Sequence, residues 1–493
     1  MRPDVLIIGS GMGGATLAAA LAPTGRRIMM VERGDFLKDT PETRDDKAIF
    51  GRGHFRPKEE WLDGKGQAFN PGNYYYVGGN SKFYGAVLLR YRREDFAPLR
   101  HMGGTTPGWP MTYDELEPDY QAAEQLFNVR GQIGQDPTEP THSGTYPFPP
   151  VPDEPSMTWA RKRLEAVGLH PSSLPLGVDI GAWLARAATP WDAFPNAGSG
   201  KMDAETALAE ALRHPNVTLM TQTRATRLLC DATGRITAVE VLRQGRSEMI
   251  EAETFALAAG AVQSAALLLA SADARHPHGI ANGSDQVGRN FMNHNASAVL
   301  GIHPFRANRS VYQKTFQIND FYLKGGPGDT PLGNIQLLGK ISGTILKASS
   351  PLPTIVANWI AKHSYDFYAM SEDLPDPESR VTLRNGQICL DWRRSNWEAH
   401  LLLVKTLKAK LRAAGFPLVL SRPFDRKTPS HQCGTARMGA DPARSVVNPF
   451  SQAHQHPNLY ITDASVLPTS AAVNPALTIA ALSLRAARHM ARA

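Results

Sequence analysis

Two polar side chains in the last quarter of the chain have types suited to proton transfer beside a developing negative charge. His431 opens the run His-Gln-Cys-Gly-Thr-Ala-Arg-Met-Gly. Asn474 stands immediately before Pro475 and an Ala/Leu-rich helical pattern. A neutral imidazole has an ordinary pKa near 6.5 and can accept a proton at working pH. Proline suits a helix start because its missing N–H would have no intrahelical partner. The free N–H groups of that first turn then attract negative charge beside Asn474. An apolar strand, Leu459 to Thr462, ends in Asp463 just upstream. His431 and Asn474 can meet only through the fold, so the remaining elements must supply both their juxtaposition and the group that becomes anionic.

The first such element lies at the start of the chain. Val5 to Ile8 is a short apolar run, followed at once by Gly9-Ser-Gly11-Met12-Gly13-Gly14 and an Ala/Leu pattern to Ala22. A second strand, Arg27 to Val31, ends in Glu32. Strand, glycine turn, helix, strand and acid together make a dinucleotide-binding unit. Gly9 permits the turn, Gly11 admits a pyrophosphate and Gly14 lets helix and strand pack closely. Glu32 can accept from ribose hydroxyls and would repel a 2′-phosphate, which disfavours NADP. NAD and FAD share this unit.

Tyr74 to Val87 contains Gly78-Gly79-Asn80-Ser81-Lys82-Phe83-Tyr84-Gly85. It reads equally as backbone pressed against a planar ligand and as a structural turn flanked by core aromatics. Residues 100–200 are rich in Pro, Gly, Trp and Tyr, as lids and substrate-facing walls are, and are interrupted by a helix over Tyr113–Leu126. Further helices are expected over Met202–Leu212, with Asp203 as cap, over Val262–Ser271 and over Asn396–Ala414. Val217 begins a strand whose continuation, Arg224 to Leu229, alternates. Ile236–Leu242 and Met249–Leu257 form a hairpin around Gly245, and the second strand runs into Ala258-Ala259-Gly260. Val287-Gly-Arg289-Asn290 reads as another loop near the cofactor. Ala298 to Asp391 reads as mostly strand, with a hairpin at Asn385-Gly386.

Dinucleotide-domain pieces therefore recur at the start, middle and end. The expected division assigns 1–97, 201–297 and 424–493 to a cofactor domain and 98–200 and 298–423 to a second, substrate-facing layer. At 493 residues the chain exceeds one ordinary core. A net charge of +7 is spread over single and paired arginines rather than clustered, which argues against a nucleic-acid partner. Three widely spaced cysteines make neither a disulfide framework nor a Cys-rich metal site, so no metal is expected. They fit a reducing compartment, and cytoplasmic is the default location. No segment reaches the length of a membrane span.

Taken together, these motifs resemble the glucose–methanol–choline (GMC) oxidoreductases, FAD enzymes that oxidise alcohols. The resemblance follows the family order through Gly9-x-Gly11-x-x-Gly14 with Glu32, Gly78-Gly79-x-Ser81, Gly260-Ala-Val-Gln-Ser264 and Val287-Gly-Arg289-Asn290. It continues through His431-x-x-Gly434-Thr435, Asp463 and Asn474-Pro475. It implies a mixed α/β (α+β) fold: a Rossmann-like FAD-binding domain with a discontinuous substrate domain built on an antiparallel sheet. It assigns FAD contacts to Gly9, Gly11, Met12, Gly13, Gly14, Glu32 and Arg33. Further contacts fall on Gly78, Gly79, Asn80, Ser81, Tyr84 and Gly85, on Arg224 and Ala225, and on Ala259 and Gly260. At the end of the chain they fall on Asp463, Ala464, Asn474, Pro475 and Ala476.

His431 would take the alcohol proton, and Asn474 would hold the substrate oxygen, as in the pyranose-oxidase and cholesterol-oxidase branches. Two positions depart from the family pattern. Phe83 occupies the place of the histidine that some members link to FAD, which implies non-covalent FAD. Tyr84-Gly85 replaces an Asn-Gly common beneath the flavin, and neighbouring Lys82 is expected to be solvated. The substrate expected is an alcohol or carbohydrate, with a secondary hydroxyl of a sugar or glycoside favoured over sterol or aryl alcohols. Oxygen or a quinone or redox protein would reoxidise the flavin. Lyase chemistry without net redox, as in the family's hydroxynitrile lyases, is the alternative from another class. Among the other histidines, His294 is a candidate for the pocket edge. His454 and His456 are expected to be exposed, and Cys433 packed rather than reactive.

Overall fold

The computed structural model describes residues 2–186, 194–198, 200–425 and 431–492. Val5–Ile8 is buried at every position, as a strand covered on both faces must be. It is the centre of a five-stranded sheet in the order Leu459–Ile461, Thr254–Leu257, Val5–Ile8, Ile28–Val31, Val217–Met220. All four pairings are parallel. The helix Met12–Leu21 packs against both Ala204–Leu212 and Ala476–Arg492. Its small residues permit this: a Cβ on Gly13 would lie 1.5 Å from the Thr462 carbonyl oxygen. Helix Tyr113–Leu126 closes the outer side of Ala476–Arg492, joined by an Arg488–Asp119 ion pair and by Tyr120 Oη to Thr478 Oγ1 at 2.8 Å. It starts in a reciprocal cap between Thr112 and Glu115.

The second layer is a six-stranded sheet in the order Leu418–Pro423, Asn295–Ile302, Ser364–Ser371, Asn334–Leu337, Phe316–Ile318, Pro171–Ser173. Its pairings are antiparallel. Strand alternation gives it two unlike faces. Phe316, Ile318, Ile335 and Leu337 pack against Leu403, Leu407 and Leu411 of helix Trp397–Ala413 and Met157, Ala160 and Leu164 of helix Pro155–Glu165. Gln317, Asn334 and Gln336 occupy the intervening positions and are also buried. A buried face of amides is costly unless each finds a partner, so this face is built for polar contacts.

Three expectations about elements are corrected. The segment from Val217 is not one strand: Val217–Met220 ends the parallel sheet, and Thr223–Cys230 joins a separate antiparallel sheet with Ile236–Arg243 and Arg246–Glu251. Gln222, with φ +52°, makes the corner. The run Met249–Leu257 divides in the same way, ending one sheet at Glu251 and entering the other at Thr254. Within Ala298–Asp391 two helices occur, Gly343–Ser349, capped by Ser342 Oγ, and Thr354–His363. Their Ile, Val and Trp content mimics strand composition. The hairpin at Asn385-Gly386 is present, with φ of +50° and +78°. It pairs with Trp61–Asp63 rather than with the six-stranded sheet, so the two layers interlock.

Candidate active site

At the dinucleotide end, Gly9 has φ +102° and its Cβ would lie 2.4 Å from Ala258 O. Gly14 faces Gly9 O just as closely. Gly11 differs, because a Cβ there meets nothing within 4 Å. It caps the helix Met12–Leu21 without any side-chain hydrogen bond, and the first turn holds no acid. That terminus presents free N–H groups beside open space, which fits a diphosphate. Glu32 is buried at the strand end and accepts from Ser10 N (3.1 Å), Ser10 Oγ (2.7 Å) and Gly34 N (2.8 Å). Its Oε1 retains a lone pair for a ribose hydroxyl. Ser10 Oγ also receives Gly78 N–H at 3.2 Å, which joins the Gly78-Gly79 turn to the glycine loop. Gly79 lies against Gly11, with its Cβ position 3.7 Å from Gly11 Cα.

Within that turn, Ser81 Oγ donates to Gly78 O (2.6 Å) and accepts from Ala204 N (3.0 Å). Asn80 is exposed and accepts from Tyr74 N at 2.9 Å. Tyr84 donates its hydroxyl to Met202 O, and Gly85 follows it half-buried. Lys82, expected to be solvated, is buried between Asp203 (2.9 Å) and Glu205. Residues beyond residue 200 create that acidic pocket, which the local sequence cannot reveal. Arg33 lies over the Tyr75 ring at 3.7 Å. Arg224 and Ala225 leave the Glu32 region, where Thr223 N–H donates to Glu32 O at 2.8 Å. Asp463 binds Gly260 N (2.9 Å), Ser264 Oγ (2.5 Å) and Ser465 N (2.8 Å). It thereby ties the Ala259-Gly260 step to Ala464.

Three backbone segments bring His431 to Asn474. Met292 and Cys433 exchange two 3.0 Å backbone hydrogen bonds. Gly434 N donates to Ala464 O and Ala436 N to Ser465 O. Gly434, at φ +90°, could carry no side chain, because its Cβ would lie 2.3 Å from Asn290 O. The loop before Asn474 is held from several sides. Trp109 Nε1 donates to Thr469 Oγ1 (2.9 Å), Tyr91 Oη to Ser470 O (2.9 Å) and Ala471 N to Glu372 Oε1 (3.0 Å). Helix Ala476–Arg492 follows, with Pro475 O accepting the bond from Ile479 N. Pro475 thus caps the helix rather than occupying its first turn.

The side chains meet in a row that runs from buried His294 through half-buried His431 and Asn474 to buried Gln336. Asn474 Nδ2 lies 3.2 Å from His431 Nε2. His431 Nδ1 lies 2.8 Å from His294 Nδ1, the rings inclined at 75°. His294 Nε2 is 2.9 Å from both Ser470 O and Ala471 O. Gln336 Nε2 donates to Asn474 Oδ1 at 2.9 Å. Burial drives the His431 pKa well below the ordinary histidine value, helped by His294 and Lys314, so the ring is neutral. Burial likewise lowers His294. Cys433 is buried and its thiol is pushed well above its usual range, so it is inert.

His294, a pocket-edge candidate by sequence, is therefore a direct neighbour of His431. Gln336 escaped sequence reading because Asn334-Ile-Gln-Leu alternates like a strand with one wet face. His456, expected to be exposed, is buried between Gly234 O (2.7 Å) and Ala281 N (3.0 Å). Among the described residues, no three His, Cys, Asp or Glu gather as metal ligands would, and no helix is long and apolar enough to cross a membrane.

The chain matches the GMC oxidoreductase N-terminal family model over residues 196–296 and the C-terminal one over 418–483. It is 30% identical to 6'''-hydroxyparomomycin C oxidase of Streptomyces lividus over 514 aligned residues, covering 99% of this chain and 91% of that one. It is also 30% identical to paromamine 6'-oxidase of Streptomyces fradiae, with coverage of 99% and 91%. The fold is that of pyridoxine 4-oxidase from Mesorbium loti, at TM-score 0.70, 18% identity and full coverage of both chains. On these matches the chain belongs to the GMC oxidoreductases, FAD-dependent enzymes acting on CH–OH donors.

Proposed function

We propose that this enzyme oxidises a hydroxyl of a sugar or glycoside to a carbonyl, with His431 as the base and Asn474 as the substrate anchor. The half-buried contact between His431 Nε2 and Asn474 Nδ2 carries this reading. FAD held there would supply the acceptor for the hydride that leaves the hydroxyl-bearing carbon. The protein's part is to remove the hydroxyl proton in the same step, because an alkoxide releases hydride far more readily. His431 Nε2 takes that proton. Without substrate an Asn474 Nδ2 hydrogen rests on His431 Nε2. The entering hydroxyl takes that place, giving its proton to Nε2 while Asn474 Nδ2 donates to its oxygen. Glu32, the Gly9–Gly14 loop, the Gly78–Gly85 turn and Asp463 with Gly260 would hold FAD, and residues 1–97, 201–297 and 424–493 form its domain. Residues 98–200 and 298–423 supply the substrate wall.

The Streptomyces fradiae relative is a paromamine oxidase, which supports a glycoside substrate. The 6' position in that relative's name is a primary carbon in a hexose, so the reading of a secondary hydroxyl rests on the His431 and Asn474 pair and not on that relative. FAD is held non-covalently: Phe83, at the linkage position, offers no nucleophile and stacks on Tyr74 at 3.7 Å between ring centroids. Acid precipitation should release all flavin into the supernatant. Oxygen or a quinone or redox protein takes the electrons, and the three free, buried cysteines support a cytoplasmic location. An anaerobic screen of sugars, 6-deoxy sugars and aryl alcohols for flavin bleaching tests the substrate. Bleaching by 6-deoxy sugars supports a secondary hydroxyl. Bleaching by aryl alcohols alone would refute the carbohydrate reading.

A further inference from the structure

His431 and Asn474 lie inside a longer hydrogen-bonded chain whose two ends fix its polarity. One end is Asp136, which accepts from Arg92 Nη2 (2.5 Å) and from Thr138 N (2.9 Å through Oδ1). An ionised carboxylate can only accept. The amide nitrogens of Asn319 (2.6 Å) and Gln317 (3.3 Å) therefore face it. Their oxygens are left to receive Asn334 Nδ2, at 2.7 and 3.1 Å respectively. Asn334 Oδ1 in turn accepts from Gln336 Nε2 at 3.0 Å. The second hydrogen of Gln336 Nε2 goes to Asn474 Oδ1. Asn474, its oxygen engaged, turns Nδ2 toward His431 Nε2, which must accept.

The other end gives the same answer independently. Carbonyl oxygens only accept, so His294 Nε2, between Ser470 O and Ala471 O, carries a hydrogen. Burial keeps His294 neutral, which leaves its Nδ1 bare. The facing His431 Nδ1 must then hold the hydrogen, and His431 Nε2 is again the bare nitrogen. Each of the buried amides has one orientation consistent with both ends.

We propose that Gln336 and His294 are positioning residues that lock His431 in its Nδ1–H tautomer, leaving Nε2 bare to take the substrate proton. This rests on the reading of His431 as the base. It also gives the loop-rich 98–200 segment a part, since Asp136 anchors the chain. The amide face of the antiparallel sheet then transmits that anchor to Asn474.

The test is the tautomer itself. Holoenzyme labelled with ¹⁵N-histidine is examined by two-bond ¹H–¹⁵N correlation near neutral pH, and His431 is identified by the signals lost in His431→Ala. The expected spectrum shows hydrogen on Nδ1 and a bare Nε2. A Gln336→Glu carboxylate can only accept, so it turns Asn474 around and presents Oδ1 to His431. That variant sets Asn474 Oδ1 against the bare Nε2 that His294 imposes, so hydrogen on Nε2 should appear beside hydrogen on Nδ1 in place of a single tautomer. It should also slow anaerobic flavin reduction by between about 10- and 10⁴-fold, the upper end being the loss when a histidine base is held in the wrong tautomer. Gln336→Met, which removes the tie without reversing it, should keep the parent tautomer through His294.

The parent spectrum decides even if Gln336→Glu fails to fold. A hydrogen on His431 Nε2, or an imidazolium, in the parent overturns the proposal. If His431→Ala is slow while that spectrum is found, the base reading stands and only the lock fails. If His431→Ala is as fast as the parent, both fail.

Discussion

His294 Nδ1 stands 2.8 Å from His431 Nδ1, with His294 buried and His431 half-buried, so a proton added to one is opposed by the other. The consequence is a pH profile displaced toward acid. Burial, with His294 and then Lys314, disfavours the His431 imidazolium, so the base form persists as pH falls below the ordinary 6.5. The kcat/KM for the hydroxyl donor should stay level from pH 8 through 6.5 and decline only below that. Half-maximal kcat/KM at or above pH 6.5 would contradict the burial argument.

Gly11 and Gly13 should separate cofactor binding from folding. A methyl group at Gly13 would collide with Thr462 O, which is backbone and cannot move aside. Gly13→Ala should therefore lose soluble protein or fall sharply in Tm. At Gly11 the added methyl meets no protein atom. Gly11→Ala should fold with an apoprotein Tm close to the parent's but bind FAD at least about tenfold more weakly, a loss of about 1.4 kcal/mol. Calorimetry and FAD titration check both. Equal FAD affinity would place the diphosphate elsewhere.

Lys82 gives a stability prediction from a buried charge. With Lys82 replaced by Met, Asp203 loses its ammonium partner while remaining buried. Stranding one member of a buried pair costs about 3–5 kcal/mol. Lys82→Met should show that loss in chemical denaturation, and Asp203→Asn in the same chain should recover part of it. No recovery would mean that the ion pair is not what the lysine supplies.

His400 sets an acid limit on the fold. It is buried between Ser297 Oγ and Ser371 Oγ, and burial with Arg394 nearby pushes its pKa down to about 3. Its folded pKa lies below the unfolded value near 6.5, so its contribution is full above pH 6.5 and is lost as pH falls toward 3. Tm should fall from pH 7 to pH 4 more steeply in the parent than in His400→Gln. Parallel curves would remove His400 as the cause.

Much of the site was legible where chemistry is written in consecutive residues. Gly9 to Gly14 with Glu32 could be read because the glycine positions are demanded by backbone approach and the acid by the strand end. Tyr113–Leu126 was legible through its acidic helical composition, and the Thr112–Glu115 cap emerged with the structure. What sequence could not show were partners brought in from other segments. Lys82 reads as solvated until Asp203 is placed beside it. Gln336 reads as a wet strand position until the amide face is covered. His294 becomes adjacent to His431 only because the Met292–Cys433 backbone pair aligns two loops far apart in the chain. The corner at Gln222 was likewise missed, because the apolar pattern runs on through a change of sheet.

The central claim, that His431 removes the hydroxyl proton of a sugar or glycoside, is tested most directly by anaerobic rapid mixing of FAD-loaded enzyme with a donor found in the substrate screen. The parent should bleach its flavin, and His431→Ala with equal FAD content should bleach about 10²- to 10⁴-fold more slowly, the usual contribution of a general base. Bleaching at the parent rate in His431→Ala, or product formation from the donor with the flavin remaining oxidised throughout, would contradict the account.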